Sequence, residues 1–175
     1  SHLIIQGINI TENKKPFQGY LEVDTEKREI SGYNPQRMSS HLGPDLPNFK
    51  GYFVIQLDRE IKDFGTWNSF RNEPQITVSG TEQKGARMGA YISFKTKKNE
   101  QVKVKIGTSF ISIEQARKNL ETEIPHWDFN KVVQETKNIW QDNLSRIEVN
   151  GATEAQKSIF YTALFHTMLF PREFS

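Results

Sequence analysis

From Leu3 to Ile111 the chain is written largely in period two, and at Ser112 it changes to the period of a helix. Short runs rich in β-branched and aromatic residues fall before the change: Leu3 to Ile10, Gly19 to Asp24, Arg28 to Tyr33, Gly51 to Asp58, Gln75 to Ser79, Ala86 to Lys95 and Gln101 to Ile111. Such alternation puts every second side chain on one face of a strand, so one face is buried and the other left wet. In "GYFVIQLD" Phe53, Ile55 and Leu57 share a face. In "QVKVKIG" Val102, Val104 and Ile106 do the same, with Lys103 and Lys105 expected to face water. Turn chemistry separates the runs, with "TEK" after Asp24, "NPQ" at Asn34, "GPDLP" at Gly43, "NEP" at Asn72 and "KKNE" at Lys97. Strands that succeed one another without intervening helices pair antiparallel, so the expected fold is mainly β, an antiparallel β-sandwich followed by C-terminal helices. The long irregular stretch from Asn34 to Lys50 reads as a connection, with a functional loop as the alternative.

Beyond Ser112, "SIEQARKNLETEI" sets Ile113, Ala116, Leu120 and Ile124 on one stripe, with Ser112 and Gln115 spaced as a capping box and Pro125 as the stop. "DFNKVVQETKNIWQDNL" follows, with Asp128 as N-cap and Phe129, Val132, Val133, Thr136, Trp140 and Leu144 down one side. The last element, "TEAQKSIFYTALFHTML", opens on a second capping box, Thr153 with Gln156. Past Ser158 it is apolar or aromatic almost all round, and a helix without a wet face needs other helices about it. Few remain here to surround it. An oligomer core is one answer; neighbours beyond Ser175 are the more economical one. The N-terminus, "SHLIIQGINIT", has neither a basic leader nor a small-residue cleavage site and reads as a strand entered abruptly. The expectation is a chain cut at both ends.

Composition excludes several function classes. Twenty-three Lys and Arg against 21 Asp and Glu leave +2, too small an excess for a nucleic-acid or anionic-membrane surface. There is no cysteine, hence no disulfide, no thiolate catalysis and no Cys-type zinc site in this segment. No run approaches the ~20 apolar residues of a membrane-spanning helix.

Two long strings carry a resemblance: "VKIGTSFISIEQARKNLETEIPHWDFNKVVQETKNIWQDNLSRIEV" and "TEAQKSIFYTALFHTMLFPREFS". Their strand "IGTSFISIEQAR", "W-D-F" helix start, "W…L-S-R-I" exit and "F-Y-T-A-L-F-H-T-x-L-F-P" helix resemble glycoside hydrolase family 92, the calcium-dependent, inverting exo-α-mannosidases of Bacteroides-type bacteria. "GYFVIQLDREIKDFGTW" and "GAYISF" look like later strands of the same family's N-terminal sandwich. The resemblance implies that residues 1–111 are part of a β-sandwich belonging to a larger super-sandwich. It also makes 112–150 linker helices with a short strand, and 151–175 the first helix of a catalytic (α/α)6 barrel. It further implies a periplasmic or secreted enzyme acting on mannose-containing glycans, whose partner is the rest of its own catalytic domain. The general acid, the base-side Asp residues and the calcium ligands would all lie outside this segment, so no catalytic or metal-binding residue is assigned within it. The isolated segment is expected to be inactive.

Residue by residue, most Asp and Glu read as solvated charge. Glu173 is the carboxylate whose position suggests a barrel mouth. His166, one turn from Thr162 and Leu169, reads as a buried, hydrogen-bonded structural histidine, with a sugar contact as the alternative. Arg172 in "FPREFS" suits a sugar hydroxyl or carboxylate, or a structural ion pair. Arg172 and His166 are thus the substrate-binding candidates. Trp67 and Trp127 are assigned to packing rather than to sugar stacking. His2, His41, His126 and His166 show no H-E-x-x-H, and no EF-hand calcium loop or phosphate loop is present. The competing function is a non-catalytic carbohydrate-binding sandwich with a helical tail, supported by Tyr33, Tyr52 and Trp67. Such modules set aromatics in a row on one sheet face, and no row is legible in the sequence.

Overall fold

The computed structural model describes residues 1–9, 18–35, 48–70 and 73–169. The chain forms two compact units, Ser1–Pro125 and His126–Ser175. In the first unit the described strands are β1 (His2–Asn9), β2 (Gly19–Asp24), β3 (Glu29–Asn34), β4 (Gly51–Leu57), β5 (Asp63–Phe70), β6 (Glu73–Val78), β7 (Glu82–Gly85), β8 (Arg87–Ser93) and β9 (Val104–Ser109), followed by helix α1 (Ile113–Glu123). The second unit holds α2 (Phe129–Leu144) and α3 (Glu154–Thr167).

All the strand pairings are antiparallel, as the helix-free succession of strands requires. One sheet runs β1-β8-β5-β6, the other β7-β2-β3-β4-β9. Between them lie Ile5, Ile8, Leu21, Val23, Ile30, Leu57, Met88, Ala90 and Ile92, all buried, with Phe53 and Phe64 partly buried at the margin. Burying a side chain of this size contributes about 1.5–3 kcal/mol, and this layer holds the sandwich together. The face of β4 shared by Phe53, Ile55 and Leu57 is the inner one, as its alternation predicts.

Helix α1 packs on the outer face of the five-stranded sheet. Ala116 and Leu120 bury against Val54, flanked by Tyr52, Ile113 and Ile124, so the predicted apolar stripe is the contacting one. Ser112 caps it, its Oγ accepting from the Gln115 amide at 3.1 Å. The box is only half made, because the Gln115 side chain donates to Asn119 at 2.7 Å instead of reaching back. Thr153 and Gln156 do form both halves at the start of α3, and Asp128 caps α2 through the Lys131 amide.

Three features depart from the sequence reading. Neither β5 nor β7 is among the runs read from alternation, although the family resemblance sets "DFGTW" of β5 among sandwich strands. "DFGTWNSF" carries Gly65, Asn68 and Ser69 and shows no clean alternation, yet β5 sits centrally between β8 and β6 with Thr66 fully buried. "EQKG" has no apolar residue and serves as an edge. On β9 the faces are as expected but the exposures are reversed. Val104 pairs with Leu57 and Ile106 with Ile55, which puts them on the inter-sheet side, yet they are 40% and 58% exposed because the facing sheet does not reach this edge strand. Lys103 and Lys105 lie partly buried on the opposite side. There Lys105 Nζ donates to the Ile124 carbonyl at 2.9 Å, and burial lowers its pKa.

Candidate functional site

The substrate-binding candidates lie in the second unit. Its helices touch through Trp140 and Phe165, whose rings lie 4.5 Å apart at 57°, and the Tyr161 hydroxyl of α3 donates to the Ile147 carbonyl of the connecting segment at 3.0 Å. His166 stands in the last turn of α3, where a cation would suit the helix dipole. Its ring sits 5.8 Å from that of Phe165, and the residue is exposed. The buried, hydrogen-bonded histidine expected from the apolar run is therefore not what is found. The run has no buried residue anywhere in α3, and Ile159 is 72% exposed. Arg172 and Glu173 lie outside the described residues.

Among the described residues no three His, Asp or Glu side chains gather as a metal-binding cluster. Carboxylates are engaged elsewhere. Asp24 is held below its usual pKa by the Lys27 ammonium and amide. Glu100 is lowered by the Lys97 amide and by Arg59, whose guanidinium lies 2.6 Å away. Glu29, only 4% exposed, is the carboxylate that sequence reasoning missed, because "EKREI" reads as a turn entering a strand. Arg117 of α1 grips it with Nη2 at 2.6 Å and Nε at 3.2 Å from both oxygens, and Gln56 adds a donor at 3.4 Å. This pair fastens α1 to the sheet. A cleft of about 500 Å3 opens at the end of the sandwich between Arg28, Lys62, Lys95, Asp58 and Phe94. Arg59 at its edge is spent on Glu100 and Asp58.

The tryptophans follow their expected role where contacts are visible. Trp67 lies on the outer face of the four-stranded sheet, half-buried, directly opposite Gly89. A Cβ on Gly89 would meet the indole at 2.7 Å, so the ring fills the space that glycine leaves. Trp127 is half-buried at the start of the second unit.

The outer face of the five-stranded sheet carries an arrangement that the sequence did not reveal. Tyr20, Tyr33 and Tyr52 are in register across β2, β3 and β4. Adjacent ring centroids are 5.9 and 6.0 Å apart. Lys50 Nζ stands 4.3 Å over the Tyr33 ring and Lys84 Nζ 5.6 Å over that of Tyr20. Burial, reinforced by Glu22 and Glu82, pushes the Tyr20 phenol up to about 12.

Comparison with known proteins gives this geometry a setting. A fungal protein named an uncharacterized secreted glycosidase, from Arthroderma benhamiae, is 32% identical over 149 residues, covering 76% of this chain and 19% of its own length. A solved structure of an inverting mannosidase from Bacteroides thetaiotaomicron superposes with a TM-score of 0.82 at 27% identity, over 98% of this chain and 21% of that one. An α-mannosidase structure from the same organism gives 0.73 at 25% identity, over 92% and 21%. The chain thus spans about a fifth of the length of these relatives. Residues 1–109 match the profile of the glycosyl hydrolase family 92 N-terminal domain, and residues 115–175 match that of the same family's catalytic domain. With its two-sheet sandwich, the helix fastened to it and the helical unit that follows, the chain belongs to glycosyl hydrolase family 92.

Proposed function

We propose that this chain is the scaffold segment of an exo-α-mannosidase that releases terminal mannose from glycans with inversion at the anomeric carbon. One observation carries the reading. Sandwich and catalytic profiles follow one another in a single chain, and the likeness to an inverting mannosidase of known structure runs through 98% of it. In this reading residues 1–111 belong to the sandwich, 112–150 link, and 151–175 open the helical catalytic domain. Further helices of that domain would cover the apolar faces of α3.

Inversion by single displacement needs two carboxyl groups about 6.5–9.5 Å apart, one protonating the leaving oxygen and one activating water on the opposite face of the sugar. Glu29, Asp24 and Glu100 are committed to Arg117, Lys27 and Arg59. The acid and base are assigned, as the family resemblance implies, to parts of the enzyme outside these 175 residues. Calcium is assigned likewise. Its ligands, like the acid and base, are assigned elsewhere in the enzyme on the family resemblance. His166, in the last turn of α3, and Arg172, which lies outside the described residues, are kept as the proposed substrate contacts. A secreted location is supported by the fungal relative's name. Among the described residues no helix is long and apolar enough to cross a membrane.

The test is hydrolysis of an aryl α-mannoside by the whole native protein and by the 175-residue chain, each with and without a chelator, following the anomer first released. Chelator-sensitive release of β-mannose by the whole protein alone is the expected result. Release of mannose by the pure 175-residue chain, or retention of configuration, would overturn the assignment.

A further inference from the structure

We infer that the outer face of the five-stranded sheet carries a docking platform for a neutral glycan chain, built on Tyr20, Tyr33 and Tyr52. Directly paired residues of an antiparallel sheet point to the same face. One row across the sheet therefore reads Lys84, Tyr20, Tyr33, Tyr52 and Ser109. The next reads Glu82, Glu22, Ser31, Val54 and Gly107. Helix α1 covers the second row at Val54 and Gly107 and packs against the margin of Tyr52. Tyr20 and Tyr33 stay half-exposed, with Glu22 and Glu82 exposed beside them.

The ring geometry makes a shelf with a stop. Tyr20 and Tyr33 are tilted by only 30° to one another, whereas Tyr52 meets Tyr33 edge-on at 66°. A pyranose ring presents a face of C–H bonds and a rim of hydroxyls, and this surface offers partners for both. The tyrosine rings take the first where the flexible Lys50 and Lys84 side chains that stand over them swing aside, and those ammonium groups with the carboxylates take the second. The Tyr20 hydroxyl already donates to Glu22 at 3.3 Å, which orients that carboxylate at the shelf's edge. Charge selects the ligand class. Lys50 and Lys84, standing over the Tyr33 and Tyr20 rings, balance Glu22 and Glu82 exposed beside them, so the platform is close to neutral and favours neither a polyanion nor a cation. A purely structural cross-strand ladder is the competing explanation, and only a ligand-dependent signal separates the two.

The choice of a mannose-based probe rests on the mannosidase reading; the platform itself does not. The test is an NMR titration of the 175-residue chain, following the tyrosine ring signals, with linear α-linked mannotriose and with cellotriose as a second probe. Saturable shifts confined to Tyr20 and Tyr33, in the millimolar range, are expected. Tyr33→Ala should weaken binding about tenfold or more, and Tyr33→Phe should stay within about threefold, because the ring face rather than the hydroxyl makes the shelf. If Tyr33→Ala fails to fold, Tyr20→Ala near the start of β2 takes its place. Shifts with cellotriose alone would keep the platform and count against the mannose assignment. Absence of saturable shifts with both sugars, or shifts unchanged in the alanine variants, would overturn the platform even if the whole enzyme releases mannose.

Discussion

Glu29 and Arg117 stand 88 residues apart in the chain, yet they make the most demanding polar contact of the sandwich unit. Desolvating a carboxylate is tolerable only where its oxygens are filled, and here Arg117 and Gln56 fill them. Arg117→Ala should therefore destabilise the unit by about 2–4 kcal/mol in urea unfolding, toward the lower part of the range for broken buried pairs because the Arg117 side chain is 31% exposed. A loss below about 0.5 kcal/mol would mean that water screens the pair as at a surface. Tyr20 gives a prediction in pH. Its phenol ionises near 12 in the folded chain against the usual 10.0, so the folded state holds that proton more tightly than the unfolded one. The stabilisation is whole below pH 10, declines as pH rises, and is gone above about 12. Alkaline ultraviolet titration should show a late-ionising component, and Tyr20→Phe should remove it.

Among the elements, α1 owes its place on the sheet to a missing methyl. A Cβ at Gly107 would collide with the Ala116 carbonyl and come within 2.6 Å of the Leu120 Cβ, atoms of the helix that lies over it. Gly107→Ala should lift α1 from the sheet, lowering the urea midpoint while leaving the β-sheet circular dichroism in place. Leu120→Ala, at 2% exposure, should cost about 2–5 kcal/mol, and Ser112→Ala about 1 kcal/mol through the lost cap. If Leu120→Ala proves the milder of the two, capping rather than burial holds the helix.

For the whole molecule, the contrast is between a unit with a core and one without. Leu21, Ile30 and Val54 are fully buried, whereas α2 and α3 have no buried residue at all. Helices held mainly by Trp140 on Phe165 and by their caps open readily. Amide exchange should therefore be slow in β3 and β4 and fast throughout α2 and α3. A hydrophobic dye should bind the second unit, where Ile139 and Ile159 are 61% and 72% exposed. Equal protection in both units would contradict this account.

Local patterns were legible without the structure. The change of period at Ser112, the caps Ser112, Asp128 and Thr153, the stripe Ile113, Ala116, Leu120 and Ile124, and the inner face of β4 are properties of neighbours within a few positions, and sequence determines those directly. Tertiary structure decided what depends on distant partners. β5 is a strand because β8 and β6 pair with it on both sides, despite its glycine, asparagine and serine. Val104 and Ile106 are exposed because the facing sheet stops short, and Lys105 is sheltered because α1 returns across its side of β9. Glu29 became a buried anchor only when Arg117 folded over it, and three tyrosines scattered between positions 20 and 52 became a row only when β2, β3 and β4 fell into register. Periodicity fixes which side of a strand a residue takes, but what covers that side is decided by chain that lies elsewhere in the sequence.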